Sequence, residues 1–263
     1  MEERYNRNIL IEGVGMEGQA KLSASKALVI GAGGLGSPAL FYLAAAGVGV
    51  IGIVDDDVVN ISNLQRQFLH FTPDIGLRKT DSAKDKIVDL NPDVKVITYN
   101  CRFSEENAEH IIGGSMIGDT NGLPADATNN HLLYGGYDFV VDCCDNFATK
   151  LLINDVCVHI NKPYSHGAVV AMRGEVMTYV PGSACYRCVF ESPPVDGTLP
   201  VAAQSGILGS VAGIIGSIQA TEAIKYLIGM SGLITNRIQI IEAKTMNFIS
   251  FNVNKRNSCM CGI

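Results

Sequence analysis

The sequence predicts an α/β fold built on a Rossmann-like, doubly wound and mostly parallel sheet, extended by antiparallel strands. Three observations carry that prediction. A β-branched run at residues 27–30 enters the glycine turn GAGGLG and then an apolar helix, SPALFYLAAAGV. The segment VIGIVDDD resumes strand character directly after that helix, and helix-like and strand-like segments keep alternating as far as Asp142. Such alternation folds as βαβ units around a parallel sheet covered on both faces. With 263 residues the chain is long enough for one full core, so residues 1–263 are expected to form a single domain.

Taken in order, residues 4–22 read as a helical start and 27–30 as the first strand, followed by the turn, the apolar helix and the second strand. A helix around 82–90, a strand at 94–99 and another at 139–142 continue the pattern. Residues 113–136, GGSMIGDTNGLPADATNNHLLYGG, are rich in Gly, Asn and Asp without helical or strand period, and read as a mobile surface insertion. The insertion leads into the N-terminal end of the 139–142 strand, so it is expected away from the carboxyl ends, where open α/β sheets bind ligands. After Pro163, GAVVAMRGEVMTYVPG and later RIQIIEAKTMNFISFNV alternate as antiparallel hairpin additions. Residues 189–205 form a Pro-containing crossover, and the apolar stretch 206–230 carries Gln219, Glu222 and Lys225, which marks a buried helix instead of a membrane span.

Composition narrows the function. The formal net charge is −6 and no Lys/Arg-rich block occurs, which argues against sequence-independent nucleic-acid binding. The N-terminus MEERYNRNILIEG lacks the basic start and apolar core of a signal peptide, so a cytoplasmic protein is expected. In that reducing compartment the eight cysteines are thiols or metal ligands, not disulfides. His70, His110, His131, His159 and His166 are scattered without ligand spacing and are assigned to surface or packing roles.

The glycine turn fits a nucleotide. Gly31, Gly33 and Gly36 permit a tight turn, close phosphate approach and helix packing, and Asp55 follows at the end of the second strand, where a carboxylate accepts from ribose hydroxyls. That fingerprint alone favours NAD or FAD. The next residues favour a triphosphate: DDDVVNISNLQRQ supplies Asn63, Gln65 and Arg66, and LRKTDSAKD supplies Lys79. Fixed cations are what phosphoryl chemistry on ATP with Mg2+ requires, and a pyrophosphate bridge needs few of them.

In order along the chain, RYNRN, GAGGLGSPA, SNLQRQ, DCCDN and CYRC make the sequence similar to the ThiF/MoeB/HesA family, relatives of ubiquitin-activating enzymes, from Arg4 to Gly262. The resemblance implies ATP-dependent adenylation of the C-terminal carboxylate of a small ubiquitin-like sulfur carrier protein ending in Gly-Gly, with release of pyrophosphate. Carried onto these residues, it puts Gly34 against the phosphates, Asp55 on the ribose, and Ser62, Asn63, Leu64, Gln65 and Arg66 with Lys79 around the triphosphate. Asp145 would organise Mg2+, with Asn146 beside it; a strand-end Asp capping the next helix is the plainer alternative. Arg7 would reach the partner subunit's site, which implies a homodimer. Arg7, Arg66, Lys79 and Asp145 are thus the expected catalytic set. No general base is needed, because a terminal carboxylate with a pKa of about 3.5 arrives ionised.

CYRC sets Cys185 and Cys188 at the spacing of two corners of a tetrahedral zinc site, and CMCG brings Cys259 and Cys261 near the terminus. The family usually has C-x-x-C at both places; here the second pair is C-x-C, with Ser258 three before Cys261. A structural zinc is expected ahead of a redox pair, which lacks a thioredoxin-like helix start, or leftover thiols. Cys143 and Cys144 are read as small core residues. Some relatives carry a cysteine in the crossover where this chain has Ala202, so sulfur is expected from elsewhere, such as a partner sulfurtransferase. Which pathway the carrier feeds, thiamine, molybdopterin or another, stays open. The alternatives are a family member activating a small-molecule or tRNA-base carboxylate, an NAD-dependent oxidoreductase, and a catalytically silent scaffold.

Overall fold

The computed structural model describes residues 2–114, 136–192 and 205–262. The insertion expected at 113–136 and the crossover with Ala202 therefore fall almost wholly outside the described residues. Helices α1 (Glu2–Ile9) and α2 (Gly15–Ala24) precede β1 (Lys26–Ile30), α3 (Gly36–Ala46) and β2 (Val50–Val54). Then come α4 (Lys79–Leu90), β3 (Lys95–Tyr99), α5 (Ala108–Gly113), β4 (Phe139–Asp142), α6 (Phe147–His159), β5 (Tyr164–Val170) and β6 (Arg173–Tyr179). The short α7 (Tyr186–Val189), the long α8 (Gly209–Ile228), β7 (Arg237–Glu242) and β8 (Asn247–Asn252) complete the order.

All eight strands form one sheet in the order β3-β2-β1-β4-β5-β6-β7-β8. The first five are parallel and the last three antiparallel. The hairpin expected after Pro163 is present, β5 pairing antiparallel with β6, and the first residues of β5, Tyr164 to His166, also pair parallel to β4. The reason for the parallel pairing is α6, which crosses from the end of β4 back to its start and so delivers β5 as a parallel neighbour.

Side-chain alternation on β1 divides the core in two. Ala27 and Val29 pack into one apolar cluster with Leu40 and Leu43 of α3, Ile87 of α4 and Ile215 of α8. Leu28 and Ile30 enter the opposite cluster with Ile111 of α5, Ile153 of α6 and Tyr164 of β5. A strand buried on both faces reads as a continuous apolar run, which is what ALVI is.

The polar residues of α8 are buried for a purpose. Gln219 donates to the carbonyl oxygens of Asp142 (2.7 Å) and Ser165 (3.1 Å). Glu222 accepts from Thr178 Oγ1 (2.7 Å), Lys225 Nζ (2.5 Å) and the Ile234 N–H (2.6 Å). Among the described residues no helix is long and apolar enough to cross a membrane.

From β1 the chain winds outward to β2 and β3, and later continues on the other side with β4 and β5. The crevice between the carboxyl ends of β1 and β4 is therefore the place such a sheet leaves for a ligand. The glycine turn lies there. Gly31 has φ +99°, and a Cβ on it would stand 2.7 Å from the Cys143 carbonyl oxygen. A Cβ on Gly36 would stand 2.1 Å from the Gly31 carbonyl oxygen, so the first turn of α3 closes on the loop only without a side chain. Gly36→Ala is expected to destabilise the fold by about 1–3 kcal/mol, as overpacking against backbone does, read as a lowered urea midpoint with an unchanged slope.

Candidate active site

Above the crevice is a cavity of about 710 Å³. Its wall includes Gly31, Gly33 and Gly34 of the turn, Asp55 after β2, and Ser62, Gln65 and Arg66 of the following loop. Lys79 at the start of α4 and Asp145 and Asn146 after β4 complete the expected residues found there. Four others lie off the wall. Gly36 sits beneath the turn, and Asn63 uses its Oδ1 to accept from the Asn60 N–H at 3.0 Å, closing a reciprocal cap with Asn60. Leu64 ends that short helical turn, and Arg7 is exposed on α1.

Asp55 is held by two backbone donors, the N–H groups of Ala32 (2.8 Å) and Asp57 (2.9 Å). Burial pushes its carboxyl above the ordinary carboxylate range, against the opposing pull of Lys79 and those two donors. The Lys79 side chain is only 6% exposed, and its ammonium reaches Asp57 at 2.8 Å. Arg66 is half-buried and turns one guanidinium N–H onto the Ser62 carbonyl at 3.1 Å, which closes the loop on itself. Gly209, at the start of α8, lies so close to this loop that a Cβ would meet the Gln65 carbonyl oxygen at 2.6 Å. The cations thus stand on a loop braced by α8 and on a helix N-terminus, opposite the glycine turn.

The helix-cap alternative for Asp145 is met by its neighbour: Asn146 is the N-cap of α6, accepting from the Thr149 N–H at 2.9 Å. Asp145 itself is exposed on the cavity wall and has no hydrogen bond or ion pair with any described residue. A hard, free carboxylate facing a cleft with Arg66 and Lys79 fits a Mg2+ ion bridging to a polyphosphate.

Beneath it lies a group of charges that motif reading passes over. Asp142, 1% exposed, takes the Lys150 ammonium at 3.2 Å on both oxygens, the Cys144 N–H at 3.1 Å and His166 Nδ1 at 2.9 Å. Lys150 also donates to the Gly167 carbonyl at 2.6 Å, and His166 Nε2 faces Glu175 Oε1 at 3.3 Å. Burial raises the Asp142 carboxyl, but Lys150 and His166 outweigh it and hold the group below the ordinary range; Glu175 is lowered in the same way, by His166. Lys150 reaches the cavity wall, as do Arg102 and Phe103 after β3. The available signal was a lysine on the apolar face of a helix, four residues after its cap.

The four expected zinc ligands come together on the other side of β5. Cys185 and Cys259 Sγ atoms are 3.4 Å apart, as are those of Cys188 and Cys261, and all four lie within 4.8 Å of one another. A tetrahedral Zn–S₄ centre needs S···S separations of about 3.8 Å, so the set fits the ion. The C-x-C pair reaches the site because a 3-10 turn at Met260–Gly262, closed by Gly262 N–H to the Cys259 carbonyl (2.7 Å), buries both thiols and leaves Met260 outside. Burial pushes the Cys185 thiol up, and Cys261 up to about 11. Cys188 is also raised by burial, but hydrogen bonds led by the Arg256 N–H hold it below the ordinary thiol value. By contrast Cys143 is buried and Cys144 half-buried at the end of β4, where both border the cavity, and desolvation raises both thiols.

Comparison with known proteins gives a family-model match described as "ThiF family" over residues 5–262. The SAMP-activating enzyme E1 of Haloferax volcanii is 41% identical over 261 residues, covering 99% of this chain and 88% of the relative. The probable adenylyltransferase/sulfurtransferase MoeZ of Mycobacterium tuberculosis and the adenylyltransferase and sulfurtransferase MOCS3 of Culex quinquefasciatus are each 37% identical, and the chain spans 60% and 54% of their lengths. Among solved structures, E. coli MccB determined with ATP superposes with a TM-score of 0.77 at 24% identity, covering 99% of this chain and 75% of that one, a likeness of fold.

Two outcomes follow from the charges. Because the Asp142 and Glu175 carboxyls are lowered on folding, the stability they contribute is complete above the ordinary carboxylate pKa of about 4 and is lost as pH falls through their folded values. The urea midpoint is expected to drop more steeply from pH 6 to pH 3 in the wild type than in Glu175→Gln. For the cluster, about one zinc per chain is expected by atomic absorption, and its removal by chelator, or Cys188→Ala, lowers the melting temperature.

Proposed function

The chain belongs to the ThiF family, and on that premise we propose that it is an ATP-dependent adenylyltransferase acting on the C-terminal glycine of a small ubiquitin-like sulfur carrier. The observation that carries the proposal is the free carboxylate of Asp145 on the wall of one cavity that Arg66, Lys79 and the glycine turn also line.

The chain's residues divide the work. Asp55 accepts from the ribose hydroxyls, and the turn offers the unpaired N–H groups of the α3 start to the phosphates. Arg66 and Lys79 neutralise the triphosphate, and Asp145 holds Mg2+, which when bound brings the α-phosphate and the incoming carboxylate together despite their like charge. A carboxylate oxygen of the terminal glycine attacks the α-phosphorus, the bond from that phosphorus to the bridging oxygen breaks, and pyrophosphate leaves. No proton moves in this step.

The same reading includes a homodimer in which Arg7 completes the partner's site, a cytoplasmic setting that keeps the cysteines reduced, a zinc held by Cys185, Cys188, Cys259 and Cys261, and a separate sulfurtransferase as sulfur donor. Support for the dimer is that apolar side chains stand exposed just after α1 and in the 61–77 loop: Leu10 is 69% exposed and Ile61 72%. The cationic wall disfavours NAD, and tight NADH binding without ATP binding would revive the oxidoreductase alternative.

The primary test is exchange of labelled pyrophosphate into ATP with candidate carriers. Exchange is expected to require Mg2+ and a carrier's terminal glycine; ATP binding without exchange by any carrier would point to the small-molecule or tRNA alternative. Asp145→Ala should abolish exchange in a folded dimer, and full activity would refute the metal assignment. Arg7→Ala and Lys79→Ala dimers, each inactive, should regain about a quarter of wild-type exchange when their subunits are mixed, because half of each mixed dimer's sites carry neither change.

A further inference from the structure

Asp145 is held from both sides of the chain and by nothing at its own carboxylate. Before it, the Cys144 N–H is tied to Asp142 Oδ1 at 3.1 Å; after it, the Asn146 side chain is tied to the Thr149 N–H at 2.9 Å. One turn further along α6, Lys150 reaches back to both Asp142 oxygens at 3.2 Å and to the Gly167 carbonyl at 2.6 Å. That one ammonium therefore fastens α6 to the ends of β4 and β5 around the loop that carries Asp145. His166 continues the fastening from β5, with one ring nitrogen on Asp142 Oδ2 (2.9 Å) and the other facing Glu175 on β6 (3.3 Å). Each ring nitrogen therefore faces a carboxylate. The flat of the ring is stacked on Tyr186, with ring centroids 4.0 Å apart, which fixes the plane of the imidazole.

Two acids and two bases gathered together, all buried except the half-buried Glu175, are a poor device for stability, because well-packed apolar side chains of the same volume serve equally well or better. What such a group supplies is geometry. Resting on the adenylation reading above, we propose that Asp142, Lys150, His166 and Glu175 are positioning residues that hold the loop from Cys144 to Asn146 so that the Asp145 carboxylate meets the Mg2+ of the bound nucleotide. Glu175, at the far end, touches neither the cavity nor the loop, and still acts on the metal through His166 and Asp142.

The test is ATP binding by calorimetry, measured with Mg2+ and with EDTA, on full-length dimers of wild type, Glu175→Gln, His166→Gln, Lys150→Arg and Lys150→Met. In wild type Mg2+ is expected to tighten ATP binding. Glu175→Gln, His166→Gln and Lys150→Met should lose about tenfold or more of that tightening, the usual effect of removing a partner behind a metal ligand. The affinity of Glu175→Gln and His166→Gln for ATP in EDTA should stay within about twofold of wild type, and Lys150→Arg, which keeps the charge, should retain most of the Mg2+ effect. Zinc content and melting temperature are measured on the same samples. A folded Glu175→Gln with the full Mg2+ effect overturns the proposal, and so does an equal loss of affinity with and without Mg2+, which marks a merely structural group. Should His166→Gln fail to fold, Glu175→Gln, at a partly exposed position, decides. Failure of wild type to bind ATP would instead remove the adenylation reading on which the proposal stands.

Discussion

The carboxylate of Asp142 is buried at the end of a parallel strand, and the architecture around the site is arranged to make that tolerable. An isolated ion there would cost several kcal/mol, and removing one partner from such a group typically costs about 3–5 kcal/mol. Donors accordingly arrive from its own turn, from α6 through Lys150 and from β5 through His166, while α8 covers its backbone carbonyl with Gln219. Elements from both helical layers and two neighbouring strands thus converge on one residue. Below the crevice the Asp142 carboxylate is thus fully engaged.

The two charged regions therefore contrast. Below the cleft floor, charges are paired and internally balanced. On the wall, Asp145 is unpartnered and Lys79 rests on Asp57, which is largely exposed, an arrangement that a polyphosphate can replace at little expense. The chemistry ascribed to the family suits such a wall, since the nucleophile is already an anion and the catalytic task is to overcome repulsion between two negative groups. Fixed cations and preorganised donors do that without a general base.

Motif reading worked where function is written locally. The glycine turn and Asp55 stand directly at strand ends, where nucleotide spacing points to them, whereas the roles of Arg66, Lys79 and Asp145 were reached through the family resemblance; all of them line the one cavity. Cys185, Cys188, Cys259 and Cys261 were readable for a different reason, since thiol pairs have few other uses in a reducing compartment. Asp142, Lys150, His166 and Glu175 escaped because each stands on a different element and only the sheet order brings them together. DCCDN drew attention to its cysteines and its second aspartate, and His166 passed as one of several scattered histidines. Asn63 and Leu64 show the reverse: inside a motif, yet occupied in closing a turn. The parallel pairing of β5 was likewise hidden, because alternation along a strand does not name its neighbour.

The cysteine cluster has a bearing on how the chain reaches this state. Its halves are separated by 74 and 73 residues in the two close sulfur pairs, with α8, β7 and β8 between them. Closing so long a loop is entropically expensive until the intervening strands have docked, so the clasp is a late event in folding. During synthesis Cys185 and Cys188 leave the ribosome well before Cys259 and Cys261, and a metal ion captured early by the first pair would wait for the second. An ion bound there would therefore act in time as well as in space, as the final lock on the three antiparallel strands that end the sheet.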